Sequence, residues 1–134
     1  MAVLSEEQTM LRDMAREWTT NESPVTAFRK FRDLAPACGY DANAFKTMAE
    51  MGWAGIVIPE KFGGSDFGWL SLGLVLEETA KTLTASPLAS SALAASALVL
   101  GGSDGAKAAW LPKLASGEAV GTLAIDEGPR HNPA

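Results

Sequence analysis

The sequence predicts an all-α fold, a bundle of about six helices followed by a single strand that opens a β-rich region. Three observations carry this. Apolar residues recur at spacings of three and four over most of residues 1–117. Helix-start signals such as Ser5-Glu6-Glu7-Gln8, Ser23-Pro24 and Ser86-Pro87 divide that stretch into segments of helical length. A short run of strand character, AVGTLAIDE at residues 119–127, comes only after Gly117.

Ser5 and Gln8 have the form of a capping box, with Glu6 and Glu7 in the first turn, where the helix dipole favours acids. Leu11, Met14, Ala15 and Trp18 then make one apolar face. A second helix opens at Ser23-Pro24, proline taking the first position because its missing N–H costs nothing there. Phe28, Phe31 and Leu34 are its expected buried stripe, and Pro36 with Gly39 its end. Asp41 or Asn43 caps a third helix carrying Phe45, Met48 and Ala49, which Gly52 closes.

The fourth helix, from Trp69, has the most regular period: Leu72, Val75, Leu76, Thr79, Ala80 and Leu83, with Glu77 and Lys81 paired four apart. Ser86-Pro87 starts a fifth, LASSALAASALVL, apolar or small on every side and so expected to be buried all round. After Gly101-Gly102, Ser103 or Asp104 caps a sixth with Trp110, Leu111 and Leu114, broken at Pro112. A lone strand leaves its ladder groups unpaired, so its sheet is expected in further polypeptide, and the chain reads as cut off on entering a second domain.

Between the third and fourth helices lies GWAGIVIPEKFGGSDFG, residues 52–68, with five glycines and three aromatic rings. Its centre, residues 54–58, is β-branched and precedes Pro59, so it reads as extended. A phosphate loop is excluded because Gly63-Gly64 run into Ser65-Asp66, whose acid repels phosphate. The glycine spacing does not supply a dinucleotide fingerprint either. The loop reads as a packing corner, with glycines at positive φ and Trp53, Ile56, Ile58 and Phe62 turned inward.

The net charge of -5 and scattered basic residues exclude a nucleic-acid surface. Cys38 is the one cysteine and His131 the one histidine, so a disulfide, a cysteine metal cage and a catalytic triad are all unsupported. Residues 88–100 are too short for a bilayer span, which needs about 20 apolar residues. With no secretory leader in MAVLSEEQ, a cytoplasmic protein without membrane contact is expected. Glu77 and Glu78 are adjacent on a helix and point about 100° apart, so they read as a solvated face and not as an acid/base pair. Ser86, Ser90, Ser91 and Ser96 lie in no nucleophile elbow and read as local caps and back-bonds.

In this order, GWAGIVIPEKFGG, VLEETAKT, GSDGAKAAWLPKLASGE and AVGTLAIDE resemble the acyl-CoA dehydrogenase family. The resemblance implies a helical N-terminal domain over residues 1–117 and the start of a truncated β-rich middle domain over residues 118–134. It implies an FAD-dependent oxidoreductase that dehydrogenates an acyl-CoA thioester between its α and β carbons, passing electrons to an electron-transfer flavoprotein. It also implies a homo- or hetero-oligomer.

The family's catalytic glutamate lies in a C-terminal bundle, so no catalytic residue is expected in this chain, which alone should be inactive. By position, Ser86, Pro87, Ala89, Ser90 and Leu93 would surround the acyl group, their small side chains leaving room for a bulky or ring-containing one. Leu123, Ile125 and Asp126 would adjoin the flavin. Asp126 departs from the family's threonine or serine. A carboxylate 4 Å from a reduced, anionic flavin is repelled by about 4 kcal/mol at an effective dielectric of 20. That departure supports one alternative, a non-catalytic partner subunit of a hetero-oligomer. A flavin monooxygenase or oxidase of the same fold is a further one, which the N-terminal region hardly distinguishes.

Overall fold

A computed structural model describes residues 3–124. Six α-helices make up the described chain: α1 Glu6–Glu22, α2 Val25–Leu34, α3 Ala42–Glu50, α4 Gly68–Lys81, α5 Leu88–Gly101 and α6 Asp104–Ala115. Two 3-10 turns, Trp53–Gly55 and Glu60–Phe62, link α3 to α4. Residues 119–124 form no strand, and the rest of the predicted strand lies outside the described residues.

The caps fall where the sequence puts them. Ser5 Oγ accepts from the Gln8 amide at 3.1 Å while the Gln8 side chain accepts from the Ser5 amide at 3.1 Å, a complete capping box. Asp41 takes the amides of Asn43 and Ala44, and Ser103 takes that of Ala106. Pro24 differs by one place: it sits at the N-cap of α2, and Ser23 closes α1.

α1 packs along α4 and α5 along α6, while the turn at Trp53 touches α3, α5 and α6. One core cluster gathers Ala15, Phe45, Met48, Trp53, Leu72, Val75 and Leu88. A second gathers Ile58, Ala95, Leu111, Leu114 and Ala115. The loop at 52–68 supplies Trp53 to one and Ile58 to the other, so it is the corner that joins them.

That corner is not extended. Residues 53–55 form a 3-10 turn and Ile56 has helical angles, with φ -54 and ψ -39. Pro59 restricts only the residue before it, and the β-branched residues upstream are free to coil. The chain then folds back on itself: Ser65, Asp66 and Phe67 donate to the carbonyls of Gly55, Ile58 and Ile56 at 2.8–3.0 Å. Gly63 carries the expected positive φ of 85, and Trp53, Ile56 and Ile58 are buried, Phe62 only partly.

Burial departs from the periodic pattern at several places. No residue of α2 is buried and Leu34 is 79% exposed, because no other described helix lies along it; it also ends at Leu34, with Ala35 left-handed at φ 44. Met14, Ala80 and Leu83 are exposed, lying beside the α1–α4 seam and not in it. α5 buries only Leu88, Ser91, Ala92 and Ala95, and Leu93 and Leu100 face outward. Its uniform small residues encode no face, so the neighbours choose one. α6 runs unbroken through Pro112, its C-terminal part held by Leu111, Leu114 and Ala115 in the second core. One missing ladder bond is tolerated there.

Glu78 is a further correction. Glu77 is exposed and pairs with Lys81 at 3.1 Å as expected, but Glu78 is buried, 3% exposed. It follows Ser71, Leu74 and Val75 on the face of α4 turned to α1, where Arg16 reaches it at 3.0 Å and Lys81 at 2.9 Å. The hydrogen bond from Arg16 lowers the Glu78 pKa below its ordinary 4.5, against the opposing pull of burial. A depressed carboxyl pKa gives stability that is fully present above the unfolded value and lost as pH falls through the folded one. Glu78→Gln is therefore expected to cost about 1–2 kcal/mol at neutral pH, the half-exposed cations holding the figure down. In paired urea titrations the gap between the two proteins narrows as pH falls below 4.5 and through the lowered folded-state pKa of Glu78. An unchanged gap there would assign the loss to packing.

Candidate functional site

The turn between α4 and α5, residues 82–87, frames the first hollow. Its chain direction is set by Leu83, a branched residue held in the left-handed region at φ 57, a conformation costing roughly 1–2 kcal/mol. Leu83 and Thr84 are tied back by their amides to the carbonyls of Ala80 and Thr79 at 3.1 and 3.0 Å. The Ala85 carbonyl accepts from the Asp41 amide, anchoring the turn to the start of α3. The result is an open groove of about 360 Å³ lined by Leu76, Thr79, Ala80, Leu83, Thr84, Ser86, Leu88 and Ala89.

Two of the five acyl-pocket residues expected from the sequence, Ser86 and Ala89, line this groove. Pro87 caps α5, and Ser90 Oγ bonds back to the Pro87 carbonyl at 2.9 Å. Leu93 stands half-exposed on the outer face of α5 and lines neither of the two hollows beside that helix. Thr79 and Thr84 were missed. Their signal was present in TAKTLTAS, where four hydroxyl residues crowd one helix junction.

A second hollow, about 590 Å³, lies between α5, α6 and residues 119–123. Gly121 makes it possible, since a Cβ there would stand 2.7 Å from that of Ala94. The segment is pinned by the Gly121 amide to the buried Ser91 hydroxyl at 3.2 Å and by the Ala119 amide to the Lys113 carbonyl at 3.0 Å. So Ser91 serves as an anchor. Leu123, expected beside a flavin, lines this hollow; Ile125 and Asp126 lie outside the described residues, as does His131.

Among the described residues no helix is long and apolar enough to cross a membrane, and no group of three or more His, Cys, Asp or Glu side chains could hold a metal. The fold and hollows define a helical domain that offers apolar walls and few reactive groups.

Comparison with known proteins assigns it. The family described as acyl-CoA dehydrogenase, N-terminal domain, matches residues 5–118. The chain belongs to that family. It is 38% identical over 128 residues to (2S)-methylsuccinyl-CoA dehydrogenase of Cereibacter sphaeroides, covering 92% of this chain and 22% of that protein. A solved Tcur3481-Tcur3483 steroid ACAD variant superposes with a TM-score of 0.82 at 27% identity, over 91% of this chain and 33% of the other. The glutaryl-coenzyme A dehydrogenase glutaryl-CoA complex follows at 0.70 and 30%, over 90% and 31%. The chain thus spans between a fifth and a third of the length of these relatives.

FAD is the cofactor this family implies. The hollow at Leu123 offers it an apolar wall and the Thr122 hydroxyl, but no basic side chain lines it to face a pyrophosphate. The described residues do not by themselves fit a dinucleotide.

Proposed function

We propose that this chain is the helical N-terminal part of a flavin-dependent acyl-CoA dehydrogenase, acting in α,β-dehydrogenation of an acyl-CoA thioester. Residues 118–134 begin a β-rich middle domain of a longer polypeptide. The observation that carries this reading is the family match across residues 5–118. In it, the groove lined by Ser86 and Ala89 is a wall of the acyl site, Pro87 and Ser90 stand beside it at the start of α5, and Leu93 lies outside it. Leu123, Ile125 and Asp126 adjoin the flavin.

The chain's own contribution is to shape the acyl site and exclude water. Apolar walls lower the local dielectric and strengthen electrostatics wherever charge develops. None of its residues is the catalytic base. The part alone is therefore inactive, and the whole protein is cytoplasmic and oligomeric, handing electrons to an electron-transfer flavoprotein.

The test is to purify the full-length protein and examine its visible spectrum. A yellow flavin band that bleaches when an acyl-CoA is added supports the proposal. A colourless protein sinks it in favour of a non-catalytic partner subunit, the reading that Asp126 favours.

A further inference from the structure

The groove between α4 and α5 is lined by the apolar residues Leu76, Leu83 and Leu88 and by the hydroxyl residues Thr79, Thr84 and Ser86. A proton count over the hydroxyls distinguishes them. Thr79 Oγ1 donates to the Leu76 carbonyl at 3.0 Å, which spends its proton and leaves oxygen lone pairs. Thr82 Oγ1 donates to the Thr79 carbonyl at 3.3 Å. Thr84 Oγ1 shares hydrogen bonds with Thr82 Oγ1 at 3.0 Å and with the buried Ser23 hydroxyl at 2.9 Å, and with the Thr82 proton on the Thr79 carbonyl the consistent order runs from Ser23 to Thr84 to Thr82.

Each of these protons is committed within the protein. Ser86 is the exception: its Oγ accepts from the Leu88 amide at 3.1 Å, and its own proton has no acceptor among the described residues. The groove therefore carries one free donor, Ser86, and two oxygens with lone pairs to spare, Thr79 and Thr84.

A plain hydrocarbon uses none of these groups. A hydroxyl uses both kinds, since it accepts and donates at once. We propose that the groove selects an acyl group carrying a hydroxyl on its distal part, which accepts from Ser86 and donates to a threonine oxygen. The three leucines cover the adjoining carbon skeleton. This rests on the reading of the groove as an acyl wall. Sites that hydrogen-bond a substrate hydroxyl discriminate against the analogue lacking it, because their own polar groups are then left unpaired.

The test uses the full-length protein with a medium-chain acyl-CoA and its terminally hydroxylated counterpart. Dissociation constants come from calorimetry, and kcat/KM from flavin bleaching. The hydroxylated ester is expected to be favoured by about tenfold in both, the worth of one net hydrogen bond. Ser86→Ala brings that ratio towards one, whereas Ser86→Thr, which keeps both donor and acceptor, retains it.

A ratio near one in the unaltered protein overturns the proposal, as does an undiminished ratio in a folded Ser86→Ala protein. Should Ser86→Ala fail to fold, the unaltered protein and Ser86→Thr still decide it. Binding of neither ester and no bleaching by any acyl-CoA is a different outcome, which removes the acyl-site reading itself.

Discussion

Gly64→Ala is expected to destabilise the protein by about 3 kcal/mol or more, the range of severe overpacking. A Cβ at this position would stand 2.0 Å from the Ile58 carbonyl oxygen and 2.6 Å from that of Gly55. Both obstacles are backbone, so no side chain can swing aside. The carbonyls are also committed, because Gly55 accepts from Ser65 and Ile58 from Asp66 at 3.0 Å. Relief means breaking the return of the loop and pulling Ile58 or Trp53 out of its core.

Gly63 is the control. It has nothing within 4 Å of a built Cβ, and its φ of 85 makes an alanine strained only through its backbone. Gly63→Ala should cost about 1–2 kcal/mol, the left-handed penalty alone. Urea denaturation of the two variants checks the order. Equal losses would mean that positive φ, and not close approach, is what the Gly63-Gly64 pair supplies.

The contrast between these neighbours explains how much of the fold the sequence carried. Local chemistry was legible: the capping box at Ser5, the caps at Asp41 and Ser103, the stop at Gly117 and the Glu77–Lys81 pair all depend on residues within one turn of each other. Gly64 was assigned a turn role, but its structural role is contact with a carbonyl six residues back, which spacing does not reveal. Burial was legible only where a partner element also existed. α2 has a stripe without a neighbour, and α5 has neighbours without a stripe.

Glu78 belongs to the same class of error. Its pairing with Arg16 spans 62 residues and depends on α1 lying along α4. The candidate groove was half legible for a related reason. Ser86 and Ala89 were reached through the family resemblance, which puts the acyl group at the start of this helix, whereas Thr79 and Thr84 join them only because Leu83 turns the chain left-handed.

Trp53→Ala carries the other large effect, a loss of about 4 kcal/mol. Trp53 is 1% exposed, sits in the turn that touches three helices, and meets Trp18 edge to face with ring centroids 5.4 Å apart at 87°. Alanine removes that pair contact, worth roughly 0.5–1.5 kcal/mol, together with the largest side chain of the first core. Trp53→Phe separates shape from polarity. The indole Nε1 atoms of Trp18 and Trp53 are both buried, with no hydrogen-bond partner among the described residues. Replacing Trp53 by phenylalanine thus forfeits volume but no hydrogen bond, and even removes a donor that was stripped of water without compensation. Its expected cost is about 1–2 kcal/mol, no more than half that of alanine. Denaturant midpoints for the two variants give the comparison. If phenylalanine costs as much as alanine, the indole N–H is held by a buried water or another acceptor, and the polar group, not the ring, is what secures this corner.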